Sequence, residues 1–339
     1  MIVTVTPAPS LDRTYTADSF QQGRVNRATS SVVEASGKGV NVSRALTGAG
    51  VAGVAVLPLG GAEGRQLADL LAAEEVPFLA VNTEVPTRTN TTLTVPGAPS
   101  TKMNAPAPDL PAQVWADLED LVGDLLRQHP GAWVLCSGSV PAAAESVPAR
   151  LVELTRRLGG HSAVDSSGPA LGRALTARPD LIAPNHLELA ELLGIDALRL
   201  NPDGNPADTA ELLQLAAHWA AAAAGRTSGA VLATLGAAGA LYADAGGVWH
   251  AAAPPIVPVN SVGAGDALLA GFLSVCSVSC ADRAAHPADA GGALATAVAW
   301  GTAACALPGT SGNVAAGARI ADVEVRRLRA NDPATPGES

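Results

Sequence analysis

The sequence is short of aromatic residues. Phe, Trp and Tyr make up only 3% of its 339 residues, so any core must be assembled from Val, Leu, Ala and Ile. Lysine is scarce and the net charge is −10, which argues against a basic nucleic-acid-binding face. An acidic protein that binds anions must gather its few cations locally, so individual Lys and Arg positions carry information. The four cysteines, Cys136, Cys276, Cys280 and Cys305, show no zinc-ligand spacing, and free thiols in a reducing cytoplasm are expected. Long apolar runs are also missing. The opening MIVTVTPAPSLD has neither the basic n-region nor the apolar stretch of a signal peptide. The alanine run at 221–224 is too short to span a membrane. Small molecules, rather than nucleic acid or membrane, are the expected partners.

What is present is a regular alternation. Residues 1–6 alternate β-branched side chains and predict a strand. Segments 14–20 and 26–34 read as extended, joined by a turn at Gly23. Gly37-Lys38-Gly39 opens a helix over 40–49 that Gly50 stops. A strand over 51–59 and a helix over 64–75 follow. A Thr-rich strand at 87–95 turns at Gly97 and Pro99 and returns over 101–104. Beyond it, helices at 115–128, 147–158, 169–177, 188–193, 206–224, 267–275 and 291–305 alternate with strands at 133–136, 161–165, 181–183 and 230–234. Residues 239–244 pair back as a hairpin. This predicts one α/β domain over 1–329, a mostly parallel sheet covered by helices. Segments 13–34 and 87–104 break the pattern and predict a small separate sheet. Residues 330–339 are expected to be disordered.

The sharpest local pattern is Asn260-Ser261-Val262-Gly263-Ala264-Gly265-Asp266-Ala267, running into an apolar helix. Small residues let backbone N–H groups converge at a helix N-terminus, which makes an anion site. Asp266 falls in the first turn, where the dipole favours its ionised form. A carboxylate beside an anion cradle suits phosphoryl transfer to an alcohol: the carboxylate takes the hydroxyl proton and the amides neutralise the transferring group. Taken alone, the pattern also reads as a tight loop capped by Asp266. Ser36-Gly37-Lys38-Gly39-Val40-Asn41 joins backbone access, a cation and an amide one turn into a helix. It lacks Walker A spacing and alone reads as a loop.

In Thr87-Arg88-Thr89-Asn90, Arg88 suits a bidentate phosphate contact, or a solvated strand surface. Pro184-Asn185-His186-Leu187-Glu188 follows a strand, where parallel sheets bind ligands. Asn185 and Glu188, three apart, suit Mg²⁺ waters and phosphate, or cap a helix; His186 reads as surface. Thr234-Leu235-Gly236-Ala237-Ala238-Gly239 supports a nucleotide or forms a hairpin. Asp12 serves sugar hydroxyls or an Asx turn. The loop Ser137-Gly138-Ser139 adds Ser137 to the candidate substrate-binding groups.

The order Asp12, Gly37-Lys38-Gly39-Val40-Asn41, Asn185-x-x-Glu188, Thr234-Leu235-Gly236 and Gly263-Ala264-Gly265-Asp266 resembles the ribokinase-like PfkB kinases, from Ile2 to about residue 320. The resemblance implies a doubly wound α/β fold with a β-sheet lid, a homodimer through that lid, and ATP with Mg²⁺ as cofactors. It implies Asp266 as base and Gly263, Ala264 and Gly265 as anion hole. Asn185 and Glu188 would serve phosphate and Mg²⁺, Glu188 through water. Thr234, Gly236, Gly239 and Ser261 would contact ATP, and Asp12, Gly37, Asn41 and Ser137 the sugar.

Thr87-Arg88-Thr89-Asn90 with Thr101-x-x-Asn104, and Leu11-Asp12-Arg13-Thr14 with Gly23-Arg24-Val25-Asn26-Arg27, resemble the 1-phosphofructokinase and tagatose-6-phosphate kinase group. There Lys38 and Arg88 would hold the phosphate already on the substrate, Asn90 assisting, and Arg24 or Arg27 would add charge from the lid. Two positions depart from the pattern: Ala8 where relatives often carry Asn, and Ser36 in place of a common glycine. The expected reaction is ATP-dependent phosphorylation of fructose 1-phosphate, with tagatose 6-phosphate or fructose 6-phosphate as alternative acceptors. A non-catalytic nucleotide- or sugar-binding module is the alternative from another class, and the intact Gly-Ala-Gly-Asp run argues against it. An NAD-dependent oxidoreductase would need G-x-G-x-x-G after an early strand, whereas Gly48-Ala49-Gly50 sits at a helix end.

Overall fold

The computed structural model describes residues 1–195, 209–279, 287, 289–307, 309 and 313–328. The chain begins β1 (Ile2–Val5), β2 (Ser10–Thr16), β3 (Ser30–Ser36), α1 (Lys38–Gly48), β4 (Gly53–Gly60), α2 (Gly61–Ala73), β5 (Phe78–Thr83), β6 (Arg88–Thr94) and β7 (Thr101–Met103). It continues α3 (Ala112–Gln128), β8 (Trp133–Ser137), α4 (Val147–Arg157), β9 (His161–Asp165), α5 (Gly168–Thr176), β10 (Leu181–Ile182), α6 (His186–Leu192) and α7 (Thr209–Ala224). It ends β11 (Ala230–Thr234), β12 (Ala240–Asp244), β13 (Gly247–Ala252), α8 (Ala264–Ser279), α9 (Ala290–Cys305), α10 (Val314–Gly317) and β14 (Glu324–Leu328).

Among the described residues ten strands form one sheet in the order β14-β13-β12-β11-β10-β9-β8-β1-β4-β5. From β5 to β11 every pairing is parallel, and β12, β13 and β14 are added antiparallel. Successive strand residues face opposite sides, and both sides are covered. Ile2, Leu135 and Leu232 pack with α1, α8 and α9, while Val3, Val5 and Val134 pack with α3 and α4. Val164, Ile182 and Val231 meet α5, α6 and α7. This is the doubly wound arrangement. The strand order reverses at β1, which has β4 on one side and β8 on the other, and such a switch point opens a crevice beyond the carboxyl ends of the strands.

A second sheet of order β3-β2-β6-β7 stands apart from the first. Its β2–β6 pairing is parallel and sets Ser10 beside Arg88 and Asp12 beside Asn90. The interruptions at 13–34 and 87–104 thus do form a small sheet, with shifted limits. β2 starts at Ser10 rather than 14, because Ser10-Leu11-Asp12 finds partners on both β3 and β6. Residues 17–20 and 26–29 are connection, not strand; Asn26 closes it by hydrogen bonds with Gln21 in both directions, 2.8 and 2.9 Å.

Three strands lacked a sequence signal. β5 is half exposed, β13 (GVWHAA) lacks a regular alternation, and β14 (EVRRL) is a charged edge strand. Helices α3, α6 and α8 begin two or three residues earlier than their apolar spacing indicates. The expected tail at 330–339, Cys280 and the start of the 206–224 helix lie outside the described residues. Cys136, Cys276 and Cys305 form no disulfide among the described residues. Among the described residues no helix is long and apolar enough to cross a membrane.

The approach of α1 to β1 sets the crevice wall. A Cβ on Gly39 would lie 2.4 Å from Thr6 Oγ1 and 3.2 Å from the Val5 carbonyl oxygen. Gly39→Ala is expected to destabilise the protein by about 1–3 kcal/mol through overpacking, and Thr6→Ala in the same chain to restore part of it. Urea denaturation of the single and double variants measures both effects.

Candidate active site

A cleft of about 380 Å³ opens at the switch point. Its walls come from the loop after β1, the N-terminal turns of α1 and α8, the loops after β8 and β10, and residues of β2 and β6. Two helix N-termini therefore face one space, and both bring partial positive charge to it.

The first is α1. Gly37 caps it with φ 131, and a Cβ there would lie 2.6 Å from Thr6 Cγ2, so the position demands glycine. Lys38 follows, its side chain 41% exposed, and donates from Nζ to Asp165 Oδ1 at 2.8 Å. Ser137 Oγ donates to the other oxygen, Oδ2, at 2.8 Å. Asp165 ends β9 and Ser137 ends β8, so parallel pairing of those strands places the carboxylate where both donors reach it. Burial disfavours the Lys38 ammonium, but the charge and hydrogen bond of Asp165, with Glu188 and Asp266 beyond, outweigh it and raise its pKa. Lys38 is thus firmly cationic.

The second is α8. Gly263 precedes it at φ 79, and a Cβ on Gly265 would meet open space. Gly263, Gly265 and Asp266 line the cleft. Asp266 is only 7% exposed, and its Oδ2 accepts from Asn41 Nδ2 at 2.7 Å. Burial is the main reason its pKa rises to about 7, with the Asp165 charge adding; the Asn41 hydrogen bond and Lys38 oppose the rise. A carboxylate poised there exchanges a proton near neutral pH.

Asn185 and Glu188 form a capping box on α6. Asn185 Oδ1 accepts from the Leu187 and Glu188 amides at 2.9 Å, and Glu188 Oε2 accepts from the Asn185 amide at 2.9 Å. The capping and ligand readings are compatible, because Asn185, Glu188 and Thr234 also line the cleft, and Asn185 bridges to Thr234 in parallel. Burial raises the Glu188 pKa, with Lys38 and the Asn185 amide opposing.

On the small sheet, Asp12 is half-buried and ringed by donors. It accepts from Ser10 Oγ at 2.9 Å and Asn90 Nδ2 at 2.9 Å on one oxygen, and from Ser36 Oγ at 2.8 Å on the other. Ser10, Ser36 and Asn90 line the cleft while Asp12 stands behind them. Arg88 lines it too, donating from Nη1 to the Ala105 carbonyl and from Nη2 to the Ala8 carbonyl, each at 2.9 Å. Its buried Nε has no partner among the described residues. Burial lowers the Arg88 pKa, against the pull of Asp12.

Several expected residues stand elsewhere. Ser137 is wholly buried against Asp165. Gly236 and Gly239 shape the β11–β12 turn, where a Cβ on Gly239 would lie 2.0 Å from the Ala251 oxygen. Ala264 and Ser261 adjoin the cleft without lining it, and exposed Arg24 and Arg27 lie in the β2–β3 connection. His186 is half-buried, not surface, and neither ring nitrogen has a partner among the described residues. Asp165 escaped the sequence reading altogether. Cys136, fully enclosed by apolar neighbours, is pushed up to about 12 by burial and takes no part as a nucleophile.

A pfkB family carbohydrate kinase profile matches residues 6–317. The chain is 38% identical over 282 residues to the 1-phosphofructokinase of Rhodobacter capsulatus, covering 80% of this chain and 82% of the relative. It is 32% identical over 272 residues to the ATP-dependent 6-phosphofructokinase isozyme 2 of Escherichia coli K12, covering 79% and 83%. Among solved structures, Escherichia coli phosphofructokinase-2 in complex with potassium matches with a TM-score of 0.78 at 29% identity, over 92% of this chain and 95% of that one. Family profile, relatives and cleft agree: the chain belongs to the pfkB family of carbohydrate kinases and is a sugar-phosphate kinase.

Proposed function

We propose that the protein transfers the γ-phosphoryl group of ATP to fructose 1-phosphate, giving fructose 1,6-bisphosphate and ADP, with Asp266 as general base. The observation that carries this reading is the set of charges that share the cleft. A buried carboxylate at a helix N-terminus, Asp266, shares it with two cations from other elements, Lys38 and Arg88. A substrate that already bears a phosphate needs cations for that phosphate and a proton acceptor for its reacting hydroxyl. The acceptor hydroxyl loses its proton to Asp266 as its oxygen bonds the γ-phosphorus, and the bond to the β-phosphate oxygen breaks. Catalysis then rests on positioning and electrostatics.

Lys38, kept charged by Asp165, and Arg88, through its unpartnered Nε, hold the phosphate of the substrate, with Asn90 beside them. Ser10, Ser36 and Asn90 carry the influence of Asp12 to the sugar hydroxyls. The amides of Gly263, Ala264 and Gly265 take the charge of the transferring group, and Asn185, Glu188 and Thr234 face the nucleotide phosphates. Mg²⁺ fits this donor set through water. No cluster of three metal-ligating side chains exists among the described residues, and one carboxylate completed by substrate phosphates is the usual provision for this ion. When bound, it neutralises phosphate charge on ATP. Exposed Phe20, Val25, Val32 and Met103 on and beside the small sheet favour its use as a homodimer lid, with Arg24 and Arg27 adding charge.

The acceptor is tested by coupled ADP release with Mg·ATP and fructose 1-phosphate, tagatose 6-phosphate, fructose 6-phosphate, fructose and ribose. Fructose 1-phosphate is expected to show the highest kcat/KM; a preference for free sugars contradicts the roles of Lys38 and Arg88. Asp266→Ala is expected to lower kcat by about 10²–10⁴-fold with an unchanged melting temperature. Lys38→Met is expected to raise KM for the sugar phosphate about tenfold or more, the cost of losing a charge-assisted phosphate contact, while KM for ATP stays near its wild-type value. Because Asp266 works ionised and its pKa lies at about 7, kcat/KM is expected to fall as pH drops through neutrality. A rate that holds level down to pH 5 would remove Asp266 from the base role.

A further inference from the structure

Asn41 lies between the proposed base and a residue that does not line the cleft. Arg44 Nη1 donates to Asn41 Oδ1 at 3.0 Å, and Asn41 Nδ2 donates to Asp266 Oδ2 at 2.7 Å. Arg44 and Asn41 are three residues apart on α1 and so share one of its faces. Arg44 is itself tightly held. It is 5% exposed, and its Nε and Nη2 grip Glu74 Oε2 and Oε1 at 2.6 and 3.3 Å. Nη2 also donates to the Ala35 carbonyl at 2.8 Å. Glu74 caps the end of α2 and Ala35 belongs to β3, so three elements fix one guanidinium.

An asparagine amide has a donor end and an acceptor end, and a half-turn of its last torsion exchanges them. A guanidinium has donors only. Beside Arg44 the amide must therefore present Oδ1, which leaves its NH₂ for Asp266. The reversed amide would set Oδ1 against the carboxylate, two acceptors face to face. With Asn41 on Oδ2, the other oxygen of Asp266 is left for the incoming hydroxyl.

We infer that Arg44 is a positioning residue for the phosphoryl transfer, holding the Asn41 amide with its NH₂ toward Asp266 and so fixing which carboxylate oxygen receives the proton. This rests on Asp266 being the base. The charged groups that bear on Asp266 are Asp165 and Lys38, of opposite sign, with Glu188 beyond Lys38. Burial and Asp165 already disfavour its ionised form, and the Asn41 donor opposes them. An amide free to turn gives up part of that opposition, so the acid limb of the rate profile moves to higher pH.

The test is the pH dependence of kcat/KM, with melting temperatures, for Arg44→Leu and Arg44→Lys, using the acceptor that the panel above identifies. Arg44→Leu is expected to move the acid limb up by about one pH unit, as loss of a hydrogen bond to the charged form does, and to lower kcat/KM about tenfold below that limb. Arg44→Lys, also a pure donor, is expected to keep the wild-type limb. Asn41→Leu shifts the limb by itself, and adding Arg44→Leu shifts it no further. A role as structural brace alone would lower the melting temperature of both Arg44 variants and leave both limbs in place, which overturns the inference. Equal movement in the Leu and Lys variants overturns it too. If Arg44→Leu does not fold, Glu74→Ala, which loosens the guanidinium from a partly exposed site, is expected to move the limb upward by a smaller amount; a fixed limb there counts against the inference. Should Asp266→Ala stay active, the base assignment falls and this inference with it. Should Asp266→Ala be inactive while Arg44→Leu titrates as wild type, only the inference falls.

Discussion

The cleft depends on how closely one helix can approach the end of one strand. α1 starts almost in contact with the carboxyl end of β1, and it does so because positions 37 and 39 carry no Cβ. That approach brings Lys38 within 2.8 Å of Asp165 and lets Asn41 reach Asp266 on the neighbouring α8. A Cβ at either position would tilt or lift α1, and a displacement of about 1 Å at a catalytic group costs on the order of a hundredfold in rate. The glycines at 37 and 39 thus set distances in the cleft while also giving access to a ligand.

The second theme is charge held in balance. Asp165, Glu188 and Asp266 would together repel a phosphorylated substrate, yet all three belong to the cleft. Each is offset locally. Asp165 is neutralised by Lys38 and bonded to Ser137, Glu188 is tied into the cap of α6, and Asp266 takes a donor from Asn41. In a chain of net charge −10, such pairing lets the cations and the two helix N-termini dominate toward the ligands.

The fold was largely legible because strand and helix periods alternate and glycines punctuate them. β5, β13 and β14 were not, since edge and half-exposed strands owe their form to the neighbour they pair with. In the site, motifs carried by one turn of chain could be read directly. Asn185 and Glu188, three apart, form the capping box that their spacing allowed, and they also line the cleft. Asp165 could not be read. It stands in an ordinary strand ending, and its importance comes from Lys38, 127 positions away. Ser137 was read as a substrate contact but turns inward to that same Asp165. Arg44 carries no motif of its own, because only the folded chain sets Glu74, Ala35 and Asn41 around it.

The strand order has a bearing on how the chain is made. β1 is synthesised before both of its neighbours yet lies inside the sheet, hydrogen-bonded to β4 on one side and β8 on the other. Its second neighbour does not exist until residue 137 has been added. For that interval a strand of three apolar residues and one threonine, buried on both faces in the finished protein, keeps one edge open, and open apolar edges recruit other chains. The stretch of synthesis between the end of β4 and the end of β8 is therefore the stage at which this kinase most needs shelter from its neighbours.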